Sequence, residues 1–179
     1  MLTIGFAGYA GSGKDTAAKA ICDPRYILEA SRDVKAGLLR LNPLIAQGID
    51  LALFVQEIGW NKAKRHSEVR RLLQAFGTEC GRELHGDDCW VSKLRFTLDG
   101  WAEQGVPLAC VTGIRYANEA TLCNPLVWVS RPGRGEGEHK SEKLEAIRAM
   151  ADATLVNDRT EAEFIEKVRE FFKGVKTNG

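Results

Sequence analysis

Four short apolar runs punctuate the chain: Leu2 to Ala7, Leu108 to Thr112, Pro125 to Ser130 and Ala153 to Val156. Near-continuous apolar character over so few residues is the pattern of a strand buried on both faces. Helical spacing fills much of the rest. Val91, Leu94, Leu98 and Trp101 repeat cleanly before Gly105 and Pro107 stop the helix. A further helix is expected from about Ser141 to Met150. Phe164, Ile165, Val168, Phe171 and Phe172 make the face of a last one, opened by Thr160 and Glu163 as a capping box. Nearer the N-terminus, Asp23-Pro24 is a break and Tyr26 to Leu28 reads as a short strand. Ser31 opens a helix that Asn42-Pro43 ends near Leu41, and Ile49 to Ile58 reads as another, closed by Gly59. Buried strands alternating with helices predict an α/β fold: a parallel sheet of about five strands with helices on both faces. The tail from Lys173 to Gly179 is expected to fray.

Between Ser67 and Leu84, Val69, Leu72, Leu73, Phe76, Cys80 and Leu84 share one helical face. At about 100° per residue, Arg70, Gln74, Gly77 and Gly81 form an adjacent stripe, with Thr78 and Arg82 further round. Each glycine inside a helix costs about 1 kcal/mol relative to alanine. Close approach of a ligand to the stripe, or a helix break near Gly77, would account for them. On a continuous helix, Arg70 and Arg82 cannot grip one small phosphate without a bend.

The first apolar run leads into Gly8-Tyr9-Ala10-Gly11-Ser12-Gly13-Lys14-Asp15-Thr16, after which the chain reads as helix to Ile21. Strand, glycine-rich loop, lysine and helix are the context of a phosphate-binding P-loop. Successive N–H groups point inward at an anion, and the helix N-terminus adds its positive end. Gly11, Ser12, Gly13, Lys14, Asp15 and Thr16 are thus the candidate ATP-binding residues. Lys14 is expected on the β/γ-phosphates. The motif G-x-x-x-x-G-K-S/T is met through Lys14, but Asp15 stands where the hydroxyl residue belongs, so Thr16 is the candidate for Mg²⁺.

Composition narrows the class. The 179 residues fit one domain, and a net charge of +1 argues for neither nucleic-acid nor membrane partners. No apolar run approaches membrane-spanning length, and the N-terminus lacks the basic region of a signal peptide. Five cysteines without CxxC spacing point to the reducing cytoplasm, with Cys22, Cys110 and Cys123 as buried thiols. Three histidines lack metal-ligand spacing. Lys62, Lys64, Arg65 and His66 read as a solvated face.

Phosphoryl transfer needs positioning and positive charge at the carboxyl ends of the strands. Arg115 and Arg131 each follow a predicted strand, and Arg134 lies in the glycine-rich stretch Pro132 to Gly137. With Lys14 they form the candidate catalytic set, and residues 131–140 read as a lid that excludes water.

Three blocks, Gly-Ser-Gly-Lys-Asp-Thr at 11–16, Arg70 to Glu79 with Arg82 and Trp90, and Arg115-Tyr116-Ala117-Asn118-Glu119, together resemble the phage-type deoxynucleoside monophosphate kinases. Arg131-Pro132-Gly133 and His139-Lys140-Ser141-Glu142 fit the same pattern. The resemblance implies a three-layer P-loop kinase fold with a helical acceptor-binding insert over about 31–105, using ATP and Mg²⁺ to convert a dNMP to a dNDP. It implies that Lys35, Arg70, Gln74, Thr78, Glu79, Arg82 and Trp90 surround the acceptor, with Arg115, Asn118 and Glu119 between the two ligands; the helical stripe adds Gly77 to the acceptor-binding candidates. The resemblance also allows a homodimer and, for a phage-encoded chain, a place in the host cytoplasm. One departure stands out: many P-loop kinases end the strand after the insert in an aspartate near Mg²⁺, and Gly113 holds that position here. A kinase of another phosphorylated metabolite, such as phosphomevalonate, and a non-catalytic nucleotide sensor are the alternatives.

Overall fold

In the computed structural model, which describes residues 1–45, 48–135 and 144–173, the strands are β1 (Leu2–Ala7), β2 (Ile27–Glu29), β3 (Leu44–Ile45), β4 (Ile49–Asp50), β5 (Leu108–Ile114), β6 (Leu126–Ser130) and β7 (Ala153–Val156). The helices among those residues are α1 (Lys14–Ile21), α2 (Arg32–Leu41), α3 (Leu51–Ile58), α4 (Trp60–Ala63), α5 (Ser67–Ala75), α6 (Val91–Glu103), α7 (Ala117–Ala120), α8 (Glu145–Ala149) and α9 (Glu161–Lys173). They form two compact units, one from Met1–Ala30 and the chain from Leu94 onward, the other from Ser31–Lys93.

The first unit is organised on β1. The sheet order is β2-β5-β1-β6-β7 and every pairing is parallel. Because side chains alternate across a strand, each strand feeds two cores. Ile4 and Phe6 of β1, Cys110 of β5 and Val127 and Val129 of β6 pack with Ala17 and Ala18 of α1 and Phe164, Val168 and Phe172 of α9. On the other face, Ala7, Ala109, Val111, Leu126 and Trp128 meet Leu94 and Leu98 of α6 and Ile147 of α8. Burial on both faces is what the apolar runs predict, and the architecture is three-layer α/β. Leu2 pairs with Leu108 and Phe6 with Thr112, but Ala7 pairs with Ile114, so the register slips by one residue at Gly113. The capping box at α9 is present: Thr160 Oγ1 lies 2.7 Å from Glu163 Oε2, and the Glu163 N–H donates to Thr160 Oγ1. These bonds hold the Glu163 carboxyl below its usual range. Of the helix expected from Ser141 to Met150, residues 141–143 lie outside the described residues.

The second unit has its own core of Leu38, Ile45, Leu51, Val55, Ala63 and Val69. Two expectations change here. The helix expected from Ile49 starts at Leu51, because Ile49 and Asp50 pair back onto Leu44 and Ile45 as a small antiparallel hairpin. Asn42, left-handed at φ 45, ends α2; its Nδ2 donates to Asp50 and its Oδ1 accepts from the Ala52 N–H at 2.8 Å. One residue thereby ends a helix with its backbone and braces the start of the next with its carboxamide. The second change lies in the stretch from Ser67 to Leu84, where α5 passes at Phe76 into a π-helical segment, Phe76–Glu83. Trp90 is the cause the packing supports. Its Nε1–H donates to the Gly77 carbonyl at 2.8 Å, diverting an acceptor from the helical ladder. The indole also lies against Gly81, where a Cβ would stand 2.3 Å from Nε1. What comes close to this glycine is Trp90 of the chain itself.

Candidate functional site

The glycine-rich loop hangs between the end of β1 and the first turn of α1. The Ser12 N–H donates to the Tyr9 carbonyl, and Gly13 caps α1 with φ 104, a left-handed conformation that a side chain resists. Lys14 is the first residue of the helix and half-buried. Asp15 is exposed in the first turn, favourable beside the positive helix end, and Thr16 is half-buried. Ser12 is 1% exposed, and its hydroxyl has no hydrogen-bond partner among the described residues, which leaves a spare donor at the base of the loop. From the other side, Asn157 donates from Nδ2 to the Ser12 carbonyl at 2.9 Å. Tyr9 donates its hydroxyl to Glu145 of α8 and sets its ring edge-on against Trp128.

Arg131 and Arg134 follow β6 in one tight turn, in which the Arg134 N–H donates to the Arg131 carbonyl. The Arg134 guanidinium lies over the loop: a Cβ on Gly11 would stand 3.3 Å from its Nε. The structure therefore brings a cation from the glycine-rich stretch after β6 onto the loop after β1. Residues 136–140 of the expected lid, and His139 to Glu142 of the resemblance, lie outside the described residues.

Beyond β5, Arg115 is exposed and Asn118 half-buried, while Glu119 is 5% exposed. The Glu119 carboxylate accepts the N–H groups of Arg115 at 2.8 Å and Tyr116 at 3.3 Å. It shapes the turn that presents Arg115. Gly113 brings no side chain, but Glu29 at the end of β2 does. A Cβ on Gly113 would lie 3.6 Å from Glu29 Cγ, and Glu29 pairs with Thr112. A carboxylate thus stands at this strand edge, supplied by the neighbouring strand.

In the second unit, Lys35, Thr78 and Arg82 are buried, Gln74, Gly77 and Trp90 half-buried, and Arg70 and Glu79 exposed. The Lys35 ammonium sits 5.6 Å from the Trp60 ring centroid. Arg82 donates from a guanidinium nitrogen to the Asp87 carbonyl at 2.5 Å, which ties it to the loop before α6. The π segment also answers the geometric objection raised on a regular helix. Its i→i+5 winding turns through roughly 80° per residue, less than an α-helix, so Arg82 swings back toward the face that carries Arg70.

Asn157 and Glu29 are the contributors that sequence reasoning missed. Both stand at the carboxyl end of a parallel strand, the rule that singles out Arg115 and Arg131. Applied to uncharged and acidic residues as well, it would have found them.

Cys22, Cys110 and Cys123 are buried free thiols. Burial raises the Cys22 pKa, pushes Cys110 above the ordinary thiol range and takes Cys123 up to about 12. A thiol-exchange reagent at pH 8 is expected to react promptly with exposed Cys80 and slowly with half-buried Cys89. The other three should appear only on unfolding. More than two reactive thiols in the native protein would contradict this burial. Among the described residues no group of three His, Cys, Asp or Glu side chains is arranged to hold a metal ion, and no helix is long and apolar enough to cross a membrane.

No protein-family pattern matches the chain, and no curated protein does. Among solved structures, dephospho-CoA kinase from Campylobacter jejuni is similar with a TM-score of 0.55 at 13% identity, over 99% of this chain and 98% of that one. Shikimate kinase from Aquifex aeolicus, 15% identical over 99% of this chain and 100% of its own, has a TM-score of 0.42, too loose a likeness to carry weight. What this chain and the dephospho-CoA kinase share is the fold, a parallel sheet with helices on both faces.

Proposed function

We propose that the chain is an ATP-dependent kinase that transfers the γ-phosphate to a deoxynucleoside monophosphate. The observation that carries the kinase reading is the phosphate cradle itself: a glycine loop at a helix N-terminus, Lys14 at its end and the Arg134 guanidinium over Gly11. A loop amide nest with two cations suits a transition state whose charge spreads over phosphoryl oxygens. Mg²⁺ fits the residues present, since Thr16 and Glu29 offer the hard oxygen donors it prefers, with phosphates and water completing its shell. When bound, it would neutralise phosphate charge. Lys14 binds the β/γ-phosphates, and Arg131 and Arg134 follow the charge onto the transferring group. No general base is required, because a monophosphate oxygen is already ionised at neutral pH.

The acceptor assignment rests on the resemblance of the Arg70 to Trp90 stretch. Arg70, exposed on α5, is the residue for the acceptor phosphate. Arg70→Ala should raise the acceptor KM roughly 10- to 100-fold, the worth of a charge-assisted hydrogen bond, and leave the ATP KM unchanged. Steady-state kinetics with each substrate varied in turn checks this, and an unchanged acceptor KM would sink it.

One observation favours the second reading, a kinase of another phosphorylated metabolite. The Trp90 indole is committed to Gly81 and the Gly77 carbonyl, so it is a poorer stacking platform for a base than the sequence alone implies. ATP-dependent phosphorylation of a panel of dNMPs, NMPs and phosphomevalonate decides between them. Turnover confined to phosphomevalonate would overturn the nucleotide reading.

A further inference from the structure

Asn157 has no part in the chemistry described so far, yet strand, helix and loop all border it. It follows β7 directly, is 7% exposed, and its backbone N–H donates to the Ser130 carbonyl at 2.8 Å. The carboxamide reaches 145 residues back along the chain to donate from Nδ2 to Ser12 O at 2.9 Å. It lies close against Gly13: a Cβ there would stand 2.5 Å from Nδ2 and 3.3 Å from the Phe164 ring of α9.

The consequence follows from peptide geometry. Ser12 C=O and Gly13 N–H belong to one planar trans unit, so they point in opposite directions. A donor that holds the carbonyl toward β7 therefore holds the Gly13 N–H toward the opposite side. With the loop read as a triphosphate site, that side is its hollow, where successive N–H groups would gather the anion. Without the grip, the peptide between Ser12 and Gly13 is free to flip, because Gly13 opposes no rotation with a side chain.

We propose that Asn157 is a positioning residue that fixes the Gly13 amide for a polyphosphate, acting through the Ser12 carbonyl and touching no ligand. The proposal rests on the reading of the loop as a triphosphate site. It predicts that loss of the carboxamide weakens binding in proportion to phosphate contact and leaves the nucleoside alone.

The test is calorimetric titration of the full chain with inorganic tripolyphosphate, ATP and adenosine. Asn157→Ala should weaken tripolyphosphate and ATP roughly tenfold, the worth of one well-placed hydrogen bond, with adenosine unchanged. Asn157→Asp should weaken them further, since a carboxylate oxygen facing the Ser12 carbonyl repels it. Asn157→Ser, too short to reach, replaces the alanine variant if that one does not fold. An independent readout is the Gly13 amide nitrogen resonance. In the wild type it should move on adding tripolyphosphate, and in Asn157→Ala that movement should be lost. Equal weakening of adenosine and tripolyphosphate, equal affinities in wild type and Asn157→Ala, or a Gly13 resonance that moves alike in both would overturn the proposal. Failure of the wild type itself to bind tripolyphosphate would instead overturn the phosphate-site reading beneath it, so the two failures are told apart by the unmutated chain.

Discussion

Lys14→Ala is expected to remove phosphoryl transfer almost completely, by at least about 10³-fold in kcat, the scale on which single cations act at a transferring phosphoryl group. Lys14 is the first residue of α1 and half-buried at the mouth of the loop, so its ammonium is held by the helix rather than by a mobile segment. Fold and loop should survive, because Lys14 belongs to neither of the apolar clusters that flank the sheet. ATP binding should weaken much less than turnover, because the amide nest and helix end remain. Coupled-assay kinetics beside ATP titration measures both. Retention of more than about a tenth of wild-type turnover would remove Lys14 from the catalytic set.

Gly8→Ala should act on the fold instead. Gly8 has φ 149, and a Cβ on it would lie 2.2 Å from the Val129 carbonyl oxygen and 2.7 Å from Ser12 Oγ. The first of these is backbone at the end of a buried strand and cannot turn aside. Relief requires β1 and β6 to part where Ala7 pairs with Trp128. A loss of about 3 kcal/mol is expected from overpacking and a disallowed backbone together, with nucleotide binding lost in the folded remainder. Urea denaturation followed by tryptophan fluorescence measures the first. A midpoint unchanged within error would mean that the loop has room the structure does not show.

These outcomes depend on features of unequal legibility. The apolar runs predict the strands of the main sheet because burial on both faces leaves an unmistakable composition, and the glycine spacing with Lys14 marks the loop because few other structures require it. The hairpin of β3 and β4 was hidden because two-residue strands carry no periodicity; Asn42 sets them by accepting the Ala52 N–H, a contact between residues ten apart. The π segment was hidden for a related reason. Gly77 and Gly81 signal that something comes close, but only the fold reveals that it is Trp90. Glu119 shows the opposite limit. Resemblance places it between ligands, whereas its buried carboxylate is occupied with the N–H groups of Arg115 and Tyr116.

The strand order carries a kinetic consequence. β1 leaves the ribosome well before its partners β5 and β6, so Leu2 must wait for Leu108 and Gly5 for Leu126. The central strand of the sheet therefore waits with both edges open, whereas the core of the segment Ser31–Lys93 draws only on neighbours that emerge with it. Non-local parallel pairing is slow and exposed to aggregation while it waits. Brevity limits the hazard: Leu2–Ala7 is six residues with a glycine at its centre, a poor template for intermolecular pairing until its own chain arrives to close over it.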